Sequence, residues 1–413
     1  MQLKIVIIGN SAAGLSAAET IRHFDVNAEV TIITDEIHSP YLRCLIPEVL
    51  AGTKSLSDLS YKSHDFYDKH NITLLKGKRA KAVSPDSKKV LLEDGHEVSY
   101  DRLLIATGAR PLPGRIKNDH IGNIFPLRTY DQALAAAKVT SGVKEAVVIG
   151  AGLIGLSAAV ALRRKGLNVT VVETESHLLI SQLDYQGAAI VKEELSREGI
   201  RFVFGTRPRA FVPCSGSNLV SALALDNGKE IPAEVAIVST GVRPNVELVE
   251  NAGGKVRTGI VVNDFFQTSI EDVYAAGDCI EIEDAASGQL LPSGLWPLAV
   301  EQGRFAAYNI LGKRRSYPQP LVRMNSTQFG NIPVISLGLI NSSSSDESFE
   351  ELNHRVYRRL FFRDNILVGC ILLGDVNGAG VYTYLIKRKI PVENLKHKLI
   401  RGVISIAEIM KLR

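Results

Sequence analysis

The 413-residue sequence predicts an α/β chain with two Rossmann-like dinucleotide-binding units and an α+β tail. Three observations predict it. The stretch 147–173, VVIGAGLIGLSAAVALRRKGLNVTVVE, runs strand, glycine loop, helix, strand. The opening stretch repeats that order, down to GLSAA at 14–18 and again at 155–159. A second pair, IATGARP at 105–111 and VSTGVRP at 238–244, closes each unit with a strand and a Thr-Gly turn.

In the central copy, Val147 to Ile149 is apolar throughout, as a buried parallel strand requires. Gly150-Ala151-Gly152-Leu153-Ile154-Gly155 follows, then a helix over 156–164 and a second strand from Val169 to Val172. Gly150 makes the tight turn, Gly152 admits a pyrophosphate to the backbone, and Gly155 lets helix pack on strand. The helix start, with Leu153 and Ile154, offers N–H groups to the phosphates. Glu173, eighteen residues after Gly155, stands where a carboxylate holds the adenosine ribose hydroxyls. Thr174, Glu175 and Ser176 supply no cation for a 2′-phosphate, so NAD(H) is expected over NADP(H).

The first copy reads alike. A strand over Lys4–Ile8 precedes the turn Gly9-Asn10-Ser11-Ala12-Ala13-Gly14, a helix over 15–22, and a strand over 30–34 ending on Asp35-Glu36. Ser11 stands where the middle glycine is expected. It is small, and its hydroxyl can itself donate to a phosphate. Later, a strand over 273–276 ends in Gly277-Asp278, at the sheet edge where open α/β folds bind ligands. Beyond 316, alternation at 332–340, 356–362 and 367–373 predicts antiparallel strands, with helices from about 378. Ser342 to Ser345 with Asp346-Glu347 reads as a solvated loop.

Hydrophobic content of 45% and charged content of 22% are ordinary for a globular protein. No apolar run is long enough for a bilayer, and the N-terminus carries no leader pattern, so a cytoplasmic location is expected. The charge of +4 is small, with no basic blocks interleaved with aromatics, which argues against nucleic acid as a partner. The four cysteines form no CxxC pair, which argues against a metal or iron–sulfur site in this chain. The nine histidines lack ligand spacing, and His38 and His177 read as surface loop residues.

GNSAAG, LLIATGARP, GAGLIG with Glu173, STGVRP and TSIEDVYAAGD stand in the order and spacing of the FAD- and NAD(P)H-dependent pyridine nucleotide–disulfide oxidoreductase superfamily. The resemblance covers roughly residues 3–312. It implies two three-layer ββα domains, one inserted in the other. An FAD domain spans 1–113 and 245–315, an NAD(H) domain spans 114–244, and 316–413 is an interface domain that often dimerises, so a homodimer is expected. Within the superfamily the chain resembles NADH:rubredoxin reductases, oxygenase-coupled ferredoxin reductases and the reductase part of NADH–nitrite reductases. DEIHSPYLR at 35–43 looks like their DE-x-x-x-PY-x-R, LRT at 127–129 like their LRT, and WPLAVEQG at 296–303 like their W-x-x-A-x-x-QG. Residues 365–375, NILVGCILLGD, look like their C-terminal domain. FAD contacts are thereby implied for Gly9, Ser11, Ala12, Ala13, Gly14, Asp35, Glu36, Arg43, Cys44, Ala80, Thr107, Gly108, Arg128, Gly277, Asp278 and Trp296. Gly241 joins Gly150, Gly152, Leu153, Ile154, Gly155 and Glu173 on the NAD side. The implied activity moves electrons between NAD(H) and a ferredoxin- or rubredoxin-like iron–sulfur protein, by hydride transfer at the flavin.

Cys44 sustains an alternative. It follows Arg43 and precedes Pro47 at the start of a short helix, and both settings lower a thiol pKa. By ungapped alignment it occupies the position of the redox cysteine of NADH oxidases, NADH peroxidases and coenzyme A-disulfide reductases. The histidine that peroxidases carry in the first loop is Ala12 or Ala13 here. Cys214, Cys279 and Cys370 read as core. Many relatives pair a glutamate in the NAD helix with a lysine near the flavin. Ser157 and Glu48 stand at or close to those places, so the flavin's surroundings are expected to differ. The basic run His354 to Arg363 reads as a docking strip for an acidic carrier, or as a solvated face alternating with a core face.

Overall fold

The structure, a computed structural model, describes residues 2–284, 287–292, 294–317, 322–340, 347–353, 356–404 and 407–408. Two five-stranded parallel sheets repeat one plan. The first orders Val273–Ala275, Arg102–Ile105, Lys4–Ile8, Glu29–Thr34 and Ile72–Lys76. The second orders Ile124–Pro126, Val235–Val238, Glu145–Ile149, Asn168–Val172 and Arg201–Val203. In each, the strand before the glycine loop is central. Ile5 to Ile8 and Ala146 to Ile149 are buried, as strands covered on both faces must be. A three-stranded antiparallel sheet accompanies each, over 80–99 and over 208–232.

Both glycine-loop helices start earlier than their apolar runs suggest. They span Ala12–Phe24 and Leu153–Arg164, because Ser11 and Gly152, in extended conformation, serve as N-caps. The helix Trp296–Ile310 crosses the first of these closely. A Cβ on Gly303 would lie 2.1 Å from the Ala13 carbonyl oxygen.

The repeated Thr-Gly turns do more than close each unit. Ala109–Pro111 and Val242–Pro244 pair antiparallel, with Arg110 opposite Arg243. Thr107 and Asn245 reinforce the ribbon: the Thr107 hydroxyl donates to the Asn245 carbonyl at 2.9 Å, and the Asn245 amide donates to the Thr107 carbonyl at 2.8 Å. The two chain passages between the parallel sheets are therefore one narrow neck.

The C-terminal sheet is antiparallel, in the order Met324–Phe329, Ile332–Gly338, Ile366–Leu373, Val356–Arg363, Glu347–Asn353. Helices Ala379–Arg388 and Lys396–Ile400 cover one face. The two edge strands escape the sequence reading because MNSTQF and ESFEELN are largely polar, as edge strands often are. Residues 341–346, most of the loop read as solvated, lie outside the described residues, as do His354 and Arg355. No helix of the described residues is long and apolar enough to cross a membrane.

Candidate functional site

The two glycine loops fold to the same geometry for the same steric reason. A Cβ on Gly14 would lie 1.9 Å from the Gly9 carbonyl oxygen, and one on Gly155 would lie 2.0 Å from that of Gly150. Gly9 and Gly150 adopt φ of +125° and +99°, with strand carbonyls (Ala106, Ser239) within 2.3 Å of any added Cβ. Each helix thereby starts hard against its sheet. Its first N–H groups, which no helix carbonyl can reach, point beyond the strand ends.

A cleft of about 1110 Å³ opens at the first loop. That is ample for a dinucleotide, since small-molecule sites run to about 1,000 Å³. Every residue expected to touch FAD lines it except Gly14, which lies behind the loop and lets the helix approach. The cleft continues to Leu153, Ile154 and Ser157 at the head of the second glycine-loop helix. Gly150, Gly152, Gly155, Glu173 and Gly241 do not line it. One cleft thus reaches from one glycine loop to the edge of the other.

Charged pairs stiffen its walls. Arg43 pairs with Glu36, to which the Tyr41 hydroxyl donates at 2.5 Å. Burial holds the Tyr41 hydroxyl protonated far above its ordinary range. Arg128 meets Asp278 at 2.7 Å. The W-x-x-A-x-x-QG stretch has a physical reading too. Trp296 lines the cleft with Tyr61 edge-on at 5.1 Å, and buried Gln302 accepts from the Gly277 N–H at 2.8 Å. Gly303 permits the helix crossing.

Residues 3–303 match the family Pyridine nucleotide-disulphide oxidoreductase. The chain belongs to that family. Residues 324–390 match the rubredoxin NAD+ reductase C-terminal domain. The oxidoreductase is 32% identical over 379 residues to the assimilatory nitrate reductase electron transfer subunit of Bacillus subtilis, covering 90% of this chain and 48% of that one. It thus spans about half the length of that relative. It is 35% identical over 354 residues to the NADH oxidase of Methanocaldococcus jannaschii, covering 83% and 78%. It superposes on a chain of the covalent putidaredoxin reductase–putidaredoxin complex with a TM-score of 0.88 and 25% identity, covering 97% and 98%. The cofactors of the oxidoreductase are FAD and NAD(H).

Several sequence readings need correction. Cys44 is reached by solvent and lines the cleft, but burial by the cleft walls raises its thiol pKa. The expected lowering fails because Arg43 turns to Glu36 and the following helix, Ile46–Ala51, has only six residues. Alkylation by iodoacetamide is therefore expected to be slow at neutral pH and still climbing at pH 9, the ordinary thiol value. An activated thiol would level off at or below about pH 7.5, and that profile would refute the assignment. Cys214 is exposed in a loop, not core; Cys279 and Cys370 are buried, and burial pushes the Cys279 thiol up to about 11. His38 is a half-buried loop residue that lines the cleft and bonds to exposed Asp131 at 2.7 Å. Glu48 leaves the cleft and faces Arg164 at 3.4 Å, so it does not replace a flavin-side lysine.

Two arginines at the centre of the basic run turn inward and offer no docking strip or solvated face. Arg358 is buried and donates to the Ile400 carbonyl at 2.8 Å and to Asp375 at 3.0 Å, and Arg359 meets Asp184 at 2.8 Å. The sequence reading missed Asn325, Ser326 and Thr327, which the C-terminal edge strand brings into the cleft. They are consecutive residues of a polar strand, which gave no signal against the apolar strands around it. It also missed Arg110, which lines the cleft at the neck and pairs with Glu247.

Proposed function

We propose that this oxidoreductase moves electrons between NAD(H) and a small iron–sulfur carrier of the rubredoxin or ferredoxin type. The observation that carries this reading is the continuous cleft. It joins the first glycine loop to the head of the second glycine-loop helix, where it would bring FAD and NAD(H) to one cleft. Bound there, FAD would supply two-electron chemistry toward the nicotinamide and one-electron chemistry toward the carrier. The chain's own residues bind, orient and enclose. The first helix start would meet the FAD pyrophosphate, Glu36 would hold the adenosine ribose, Arg43 would lie by the FAD, and Trp296 would brace the ring side. Glu173 holds the second nucleotide; its carboxylate already accepts from the Ala151 N–H at 2.7 Å, which keeps it beside the loop. No side-chain acid or base is required for the hydride step. The C-terminal match to rubredoxin NAD+ reductase supports the carrier class. The four free cysteines suit a reducing, cytoplasmic setting.

A thiol mechanism at Cys44 is the second reading. What favours it is the solvent-reached sulfur in the cleft wall. The raised pKa disfavours it. Cys44→Ser is expected to keep NADH-dependent reduction of rubredoxin or ferredoxin within about twofold of wild type, an effect of under ~0.5 kcal/mol. A fall of about a hundredfold or more, with flavin still reduced by NADH, would replace the carrier reading with the thiol one.

A further inference from the structure

The segment that follows Glu173 ends in an unusual junction. From Glu173 the chain runs across the second glycine loop, where the Leu179 N–H donates to the Ala151 carbonyl at 2.9 Å. It then reaches Asp184, the N-cap of the helix Tyr185–Arg197. One Asp184 oxygen accepts from the Gly187 N–H at 2.8 Å, as a helix cap should. The other accepts from the Tyr357 hydroxyl at 2.6 Å and from Arg359 at 2.8 Å. Both partners belong to the C-terminal sheet, 173 and 175 residues away in sequence.

Tyr357 is fully buried, and the Asp184 side chain is 14% exposed. Burial and the neighbouring carboxylate together hold the Tyr357 hydroxyl protonated far above its ordinary range, so it remains a donor at every working pH. A partly buried carboxylate with a cap bond, a phenol and a guanidinium has one preferred position. The contact is also close-packed, since a Cβ on Gly187 would already touch Leu373 and Tyr357 at 3.4 Å.

We propose that Asp184, Tyr357 and Arg359 form a positioning cluster through which the C-terminal sheet fixes the nucleotide-binding segment 173–184, and so sets affinity for NAD(H). The proposal rests on the assignment of NAD(H) to this unit. Inside its own unit the segment is pinned by backbone and side-chain bonds at Glu173 (to Ala151 and Val203), Glu175 (to Gly205) and Leu179 (to Ala151). The Asp184 carboxylate makes the hydrogen bonds that cross to the C-terminal sheet. Release of the Asp184 pin loosens the far end of the segment while leaving the first glycine loop and its helix untouched. Misplacement by an ångström is enough to weaken a preorganised site strongly.

ADP-ribose tests this, because it fills the nucleotide site without reacting. Calorimetry on the FAD-loaded protein should give a Kd that rises about tenfold in Tyr357→Phe and in Arg359→Met, the effect of one lost bond to a charged acceptor. FAD content should stay at the wild-type level, and the KM for NADH should rise in step with the Kd. Arg359→Lys keeps a cation opposite Asp184 and should recover most of the affinity. A purely structural cluster would lower the melting temperature of all three variants and leave the ADP-ribose Kd where it was. That result overturns the proposal, as does an equal loss of FAD. Tyr357→Phe retains the buried ring and carries the test alone if Arg359→Met does not fold. Failure of the wild type to bind ADP-ribose would instead remove the underlying NAD(H) assignment.

Discussion

Gly14→Ala is expected to yield a folded but colourless protein. The added Cβ would sit 1.9 Å from the Gly9 carbonyl oxygen and 3.2 Å from Ile7. Neither neighbour can give way cheaply. Gly9 is itself held against Ala106, and Ile7 is fully buried. The helix Ala12–Phe24 must therefore withdraw from the strand Lys4–Ile8, at a cost of about 1–3 kcal/mol in packing. Its N–H groups leave the pyrophosphate position at the same time. Retention of FAD should fall at least about tenfold, the equivalent of ~1.4 kcal/mol. The ratio of visible to ultraviolet absorbance after purification reads this directly. A variant as yellow as the wild type would show that the first glycine loop is not the flavin cradle.

Gly155→Ala makes the same steric insult in the second copy, and the expected outcome differs. Here the Cβ would lie 2.0 Å from the Gly150 carbonyl oxygen. The first unit is untouched, so the protein should remain yellow. Flavin bleaching by sub-saturating NADH should slow about a hundredfold, or ~2.7 kcal/mol, while dithionite still bleaches it fully. Stopped-flow absorbance in the absence of oxygen checks both. Equal bleaching by NADH in variant and wild type would remove the second loop from coenzyme binding. The pair of variants uses the internal repeat as its own control, since one loses colour and the other loses the response to NADH.

Local signals made the two glycine loops legible. Glycines at fixed offsets, flanked by apolar strands, have one dominant solution, and the structure adopts it twice. Gly277, Gln302 and Gly303 were visible through a motif, yet their reasons were not. Gly303 clears the Ala13 carbonyl and Gly277 faces the Ala13 side chain, both from far along the chain, while Gln302 accepts from the Gly277 N–H. What could not be read were the partners of charged groups. Arg43 near Cys44 suggests an activated thiol in one dimension, but in three dimensions Glu36 takes the guanidinium. Arg358 and Arg359 look like a surface strip until the C-terminal helices and Asp184 cover them. The edge strands carrying Asn325 and Thr327 have no apolar face to announce them, so a wall of the cleft stayed hidden.

The ribbon Ala109–Pro111 with Val242–Pro244 has an evolutionary consequence. The way into the inserted module and the way out of it lie side by side and are hydrogen-bonded to each other. A host fold so interrupted keeps its own strand order, because the interruption occupies no more room than a hairpin. A module hung on such a stem can be exchanged whole, by recombination or by the engineer, without rebuilding the sheet around Lys4–Ile8. Chimaeras joined at 111 and 242 are the natural seam for that exchange.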